Sequence, residues 1–432
     1  MSTHDVPDEL SGRLHRAFDP LLRSGAEEDV MQRWQSQIAA PQRATRLTRL
    51  WPVHSRFGTA LAAVGVVAVA GAALAIAVGL RNHGAPAPAK PTLHVTPPPV
   101  VTTQTPAPTP TTAPVQGFDP ASFTAIDTSH FWVLGSIGMC EPCTPVIEAT
   151  SDGGTHFSQI PAPATRYAPH YQTAITDISS IRFANADDGW AFGPGLWATH
   201  DGGAHWKSLD LHGKIDSLEA GAGNRVYAIV DECAGRATCT IRLAGADSGG
   251  DSWRDLLRTQ GPAANNALAV HGTDVWFMEG ADLWRSTDSG ATFTKLASPC
   301  TAELGGSLSA ASADVLWAFC ATGTSGGAEV SNDGGRTFRG VSRPESGFSN
   351  NATVAALSAL RVFVDDHVIL NMTSNGGGTF SSVQAFGDGT PDWVGFTTPD
   401  VGYVVVITAD RRASQLWRTS DSGASWQQIS FN

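Results

Sequence analysis

Four groups of residues have the types and spacing to do chemistry. Cys140 and Cys143, in "CEPC", have the Cys-x-x-Cys spacing of thiol–disulfide exchange or of half a zinc site. Redox use needs a helix N-terminus to lower a thiol pKa. This pair instead sits in a proline-bearing loop between strand-like runs, with no second Cys or His pair beside it, so a structural loop disulfide is expected. A second group is a recurring carboxylate at Asp152, Asp201, Asp247, Asp288, Asp333 and Asp421, replaced by Asn375 in one copy. The third is "PAPATRYAPHYQTAITD" at 161–177, with Arg166, Tyr167, His170 and Tyr171 on one long loop, joined by Arg411 and Arg412. Arginine and exposed aromatics are common anchors of protein interfaces. The fourth is Asp365, Asp366 and Glu279, the carboxylates to test for two-carboxylate glycoside hydrolysis.

The recurring carboxylate belongs to a box, Ser/Thr-x-Asp-x-Gly-x-Thr/Ser-Trp/Phe, seen for example as "THDGGAHW", "STDSGATF" and "TSDSGASW". The third copy, "GADSGGDSW", carries one extra residue. Each position has a mechanical role. The Asp accepts hydrogen bonds from N–H groups of its own turn. The Gly two residues later supplies positive φ, the Ser or Thr holds the Asp, and the closing aromatic plugs the hairpin against the core. The box therefore reads as a self-satisfied turn. Recurring once per repeat, its carboxylates are spread apart rather than gathered into a catalytic or metal site.

Positioning these groups requires the elements around them. Successive box positions lie 49, 46, 41, 45, 42 and 46 residues apart. A period near 45 that contains several short strands is the length of a propeller blade. Between boxes the order recurs: an apolar run ("ITDISSIRFA"), an aromatic strand ("DDGWAFG"), a strand into the box ("LWATHDGG") and one out of it ("AHWKSLDL"). "HFWVLGS", "RVYAIV", "DVWFMEG", "VLWAFC", "RVFV" and "GYVVVIT" are the aromatic strands of the other blades, which makes Tyr227 and Tyr403 core residues. The expected fold is all-β, a seven-bladed propeller of four-stranded blades over 117–432. Loops after strands one and three share one face, so the boxes lie on one side. All six cysteines, the 161–177 connection, Asp365, Asp366, Arg411 and Arg412 fall on the other. Three local disulfides are expected there: Cys140–Cys143, Cys233–Cys239 and Cys300–Cys320.

The box resembles the Asp-box, or BNR, repeat. "RFANADDGWAFGPGLWATHDGGAHW" is most similar to the photosystem II stability and assembly factor-like family, and more distantly to sialidase-like and sortilin-type propellers. The resemblance covers nearly all of 117–432 and implies a propeller that binds or helps assemble other proteins. Sialidases open on a Phe/Tyr-Arg-Ile-Pro stretch, which this sequence lacks.

The rest of the chain reads as an anchor. Residues 57–80 carry no charge; as a helix they span roughly 36 Å, enough for a hydrocarbon core of about 30 Å. Arg43, Arg46, Arg49 and Arg56 precede this segment, and Arg81 and Lys90 follow it. The positive-inside bias puts the N-terminus in the cytoplasm and the propeller outside the cell membrane, where an even number of cysteines suits disulfides. Residues 81–116 form a Pro/Thr-rich linker, an extended stalk. Residues 1–56 are partly helical, with a face (Leu10, Leu14, Phe18, Leu21) too small for a core; it suits a cytoplasmic partner, the membrane surface or a loose tail. The formal charge of −12 is concentrated beyond residue 116, which argues against nucleic acid. The reading is a single-pass, noncatalytic binding or scaffold module for an envelope protein or glycan, needing no metal or cofactor. The alternative is a glycosidase or glycan-binding module.

Overall fold

The computed structural model describes residues 117–431 apart from 139–141, 169–173, 234–238, 262–265, 301–304, 323–324 and 345–346. The expected N-terminal segment, transmembrane helix and stalk lie outside the described residues. No helix among the described residues is long and apolar enough to cross a membrane.

Among the described residues twenty-eight strands, β1–β28 in chain order, form seven four-stranded antiparallel sheets. Each sheet is built from four consecutive strands paired in sequence order. The result is a seven-bladed propeller. The first strands, β1 (Phe118–Ala125), β5 (Ser180–Phe183), β9 (Lys214–Gly221), β13 (Asn266–His271), β17 (Gly306–Ala310), β21 (Thr353–Ala356) and β25 (Thr390–Phe396), line the central channel.

The second strands carry the core because both their faces are covered. In β10 (Arg225–Glu232), Val226, Ala228 and Val230 pack toward blade 2, while Tyr227 and Ile229 pack toward blade 4. Strand alternation therefore feeds two interfaces from one run, and that is why these strands read as continuously apolar. Seven apolar clusters result, one at every junction between neighbouring blades. Tyr227, Tyr403, Trp276 and Trp317 are fully buried. Burying a large apolar side chain contributes roughly 1.5–3 kcal/mol, so the blades hold one another.

Among the described residues no strand is exchanged between the first and last blades; packing and side-chain bonds join them. Phe123 of β1 stacks on Tyr403 of β26 (Gly402–Ile407) at 4.0 Å between ring centroids. The Ser414 N–H donates to Asp119 Oδ1 at 3.1 Å, its hydroxyl to the Pro120 carbonyl at 2.6 Å, and Arg418 reaches the Gly153 carbonyl at 3.3 Å.

Candidate functional site

The box turns occupy one face of the ring, and in six blades they share one geometry. In blade 5, the Ser331 hydroxyl donates to Asp333 Oδ1 at 2.7 Å and accepts the Gly335 N–H at 2.8 Å. Asp333 also accepts from the Thr337 N–H at 2.9 Å and the Thr337 hydroxyl at 2.6 Å. Blade 4 repeats this with Ser286, Asp288, Gly290 and Thr292, and blade 7 with Thr419, Asp421, Gly423 and Ser425. In blades 1 and 2 a histidine ring replaces the second hydroxyl, at 2.6 Å in both His156–Asp152 and His205–Asp201. Asn375 keeps the same bonds without a charge, its amide donating to the Thr379 hydroxyl at 2.9 Å. Donors within the turn hold the Asp201, Asp288, Asp333 and Asp421 carboxyls down at about 2, first of all the side chain of His205, Thr292, Thr337 or Ser425 respectively. Asp152 also lies well below the usual range, first through the His156 backbone N–H.

The glycine two residues after the Asp takes positive φ, and in blade 7 it is required twice over. At Gly423 φ is +84°, and a Cβ would lie 2.2 Å from the Phe363 ring. Every closing aromatic packs in the junction with the preceding blade, as Trp206 does with blade 1 and Trp426 with blade 6. These carboxylates are committed to their turns.

Blade 3 corrects the expectation of a seventh equivalent turn. Asp247 ends β11 (Cys239–Asp247) with its side chain 81% exposed, bonded to Arg225 at 2.6 Å. The Gly250 N–H still donates to the Asp247 carbonyl at 3.1 Å, as the matching N–H groups do in blades 2, 4 and 7, but the Asp247 carboxylate points to Arg225 rather than to its own turn. This turn is tied to blade 2 from outside. His200 bonds Asp188 at 2.7 Å and Asp251 at 3.2 Å, and Lys207 bonds Asp251 at 2.7 Å. Burial opposes the charge on His200, but its two carboxylate partners outweigh it and raise the pKa.

The opposite face carries the cysteines. Cys233 is bonded to Cys239, and Cys300 to Cys320. Cys143 is disulfide-bonded; Cys140 lies outside the described residues. The long 161–177 connection is held down more firmly than its composition suggests. Tyr167 exchanges backbone bonds with Cys143 at 2.8 Å and is only 4% exposed, in the cluster of Trp132, Ile147 and Ile178. This corrects the reading of Tyr167 as an exposed anchor: the bridges to Cys143 and Ile178 turn its ring into the core. Arg166 is half-exposed and paired with the fully buried Asp177 at 3.1 Å. His170 and Tyr171 lie outside the described residues. Arg411 and Arg412 are exposed between β26 and β27 (Ser414–Thr419).

At the start of the first strands a cavity of about 710 Å³ opens into the central channel. Asp119, Asp216, Glu219 and Asp392 converge on it, with Arg182 as the cation among its lining residues and Trp393 as an aromatic wall. Burial raises the Asp119 carboxyl, against the Ser414 N–H. Asp216 is pushed up to about 6, by burial and then by the nearby Asp231 charge. Burial also raises Glu219, outweighing its ion pair with Arg182 at 2.6 Å. Asp216 is exposed and Glu219 partly exposed, and both line the cavity. Alternating polar residues within the first strands ("KIDSLE", "PDWVGF") carried this signal in the sequence.

The carboxylates considered for hydrolysis are less accessible. Asp365 is fully buried and well above its usual range, through burial first, against the His367 N–H, with repulsion from Asp392 and Asp366 adding to it. Asp366 accepts the Val368 and Ile369 N–H groups in its own turn. Glu279 is 6% exposed. Among the described residues, the one trio spaced to hold a metal ion is Asp231, Cys233 and Cys239, and its two sulfurs are joined in a disulfide.

No family model and no curated protein matches the chain. Solved structures that resemble it include YCF48 bound to D1 peptide (16% identity, TM-score 0.48, 71% of this chain and 95% of that one). YCF48 from Cyanidioschyzon merolae resembles it at 16% identity and TM-score 0.47, over 71% of this chain and 97% of that one. Virginiamycin B lyase from Staphylococcus aureus does so at 12% identity and TM-score 0.46, over 70% and 95%. Likenesses at such identities do not reach to ligand or activity.

Proposed function

We propose that this chain is a membrane-anchored propeller of the Asp-box type, displayed outside the cell membrane, that binds an envelope protein or glycan noncatalytically. The observation that carries this reading is the division of labour between the two faces. On one face, six turns use up their own polar groups. On the other, Asp119, Asp216, Glu219, Asp392, Arg182 and Trp393 line a shared cavity. Cavities with a few convergent polar groups and shifted carboxyls are where ligands bind. The uncharged run at 57–80 and its arginine flank support the anchor, and the Pro/Thr-rich linker supports display at a distance from the bilayer.

A second reading, glycoside hydrolysis, draws on one observation. Asp216 holds its proton to about pH 6 in a cavity shared with other carboxyls, and such a group is suited to act as a general acid. One experiment separates the two. The full-length chain in detergent is offered envelope extracts and, in parallel, a glycan panel. Stable capture weakened by Trp393→Ala, with no sugar released, supports the binder. Turnover of any glycan that is lost in Asp216→Asn replaces it with the hydrolase.

A further inference from the structure

A groove lies on the same face between blades 2 and 3, away from the ring axis. Its cavity is about 720 Å³. One wall is apolar, with Pro194 and Leu209 from blade 2 and Ile175 and Leu211 from the connections on either side of it, and the charged Lys214 and Glu232 line the groove as well. Ile175 is 58% exposed, an uncommon degree for a large aliphatic residue in this protein. Asp231, near the end of β10, also lines the groove and is 6% exposed. One of its carboxylate oxygens accepts the Cys233 backbone N–H. The other, Oδ1, is buried without a hydrogen-bond partner. Lys214 stands close enough to attract this charge but forms no ion pair with it among the described residues. The Cys233–Cys239 disulfide fixes the strand end that carries Asp231.

A buried carboxylate oxygen left unpaired costs free energy, and a groove with an apolar wall beside such an acceptor has a definite complement. We propose that this groove is a subsite for an ammonium group on an aliphatic stem, with the stem packed on Ile175, Pro194, Leu209 and Leu211 and the ammonium donating to Asp231 Oδ1. Lysine has this form, and so does a free aliphatic diamine. An aliphatic stem of four or five carbons can bury itself while its charged head finds a partner. The subsite is a separate cavity from the central one, although the Asp231 charge also reaches Asp216 there.

The test uses the full-length chain in detergent and four probes: capped lysine (N-acetyl-lysine N-methylamide), its uncharged counterpart capped norleucine, capped arginine and pentane-1,5-diamine. Binding is followed by titration calorimetry. Capped lysine is expected to bind wild type and to weaken about tenfold or more in Asp231→Asn, an isosteric change whose folding is checked by thermal melting. Ile175→Arg, on an exposed position, places a competing cation at the mouth and is expected to weaken binding as well. Diamine binding equal to that of capped lysine supports the subsite and assigns it to free amines. Weaker diamine binding supports it and assigns it to lysine side chains. Equal binding of norleucine, preference for arginine, unchanged binding in Asp231→Asn, or no binding of either amine overturns the proposal.

Discussion

Replacing Ser331 with alanine isolates what the repeated turn contributes. The side chain is 1% exposed, donates to Asp333 at 2.7 Å and accepts the buried Gly335 N–H at 2.8 Å. Alanine fits the space but leaves that N–H without an acceptor and Asp333 without one of its donors. A buried group left unsatisfied costs about 1–3 kcal/mol. For a domain of this size each kcal/mol lowers the melting temperature by about 2–4 °C, so a drop of about 2–12 °C is expected. Ser331→Thr is the control. Threonine makes the equivalent bond in four other blades, at Thr150, Thr199, Thr373 and Thr419. Threonine at 331 should therefore melt close to wild type. Calorimetric scans of the three proteins at pH 7 decide it. An alanine variant that melts with wild type, or a threonine variant as damaged as alanine, refutes the account of the box as a buried polar clamp.

Three further outcomes follow from particular groups. The box carboxyls of Asp201, Asp288, Asp333 and Asp421 are held at about 2 in the fold, below their unfolded range near 4. Their stabilisation is thus present above pH 4 and lost as pH falls toward 2, and replacing all four with asparagine, on the pattern of Asn375, should flatten an acid-unfolding curve. Glu148 behaves oppositely: it is 3% exposed and burial raises it to about 7, so its contribution is intact below pH 4.5 and is lost as pH rises through 7. Glu148→Gln should stabilise by about 1–3 kcal/mol at pH 8 and leave pH 4 stability unchanged by denaturant titration. Protease added to intact cells should remove the propeller and spare an N-terminal tag; digestion of the tag with the propeller protected would reverse the proposed topology.

The ring was legible in the sequence because its signals are local and repeated. A turn that needs Ser or Thr, Asp, Gly and an aromatic at fixed offsets writes itself into every blade, and the doubly buried second strands write themselves as apolar runs. Where the local signal was bent, the reading slipped. The extra residue in "GADSGGDSW" kept an Asp near the expected place, but its turn is tied through Asp251 to His200 and Lys207 rather than through Asp247. Tyr167 looked like a surface anchor because the loop around it is polar and proline-rich; its burial depends on backbone bridges to Cys143 and Ile178, and nothing in the loop's own sequence announces them. The central cavity was harder still. Asp119, Asp216, Asp392 and Trp393 come from three different first strands, and only closure of the ring brings them together. No single stretch of sequence carries that convergence.

The claim that one face binds while the other is structural is tested most directly by hydrogen exchange of the full-length chain, free and in complex with whatever envelope partner it captures. Added protection is expected at the beginnings of β1, β9 and β25 and in the loops beside them, with the box turns at 286–293, 331–338 and 419–426 unchanged. Protection concentrated on those box turns, with the cavity-lining strands unaffected, would contradict the account.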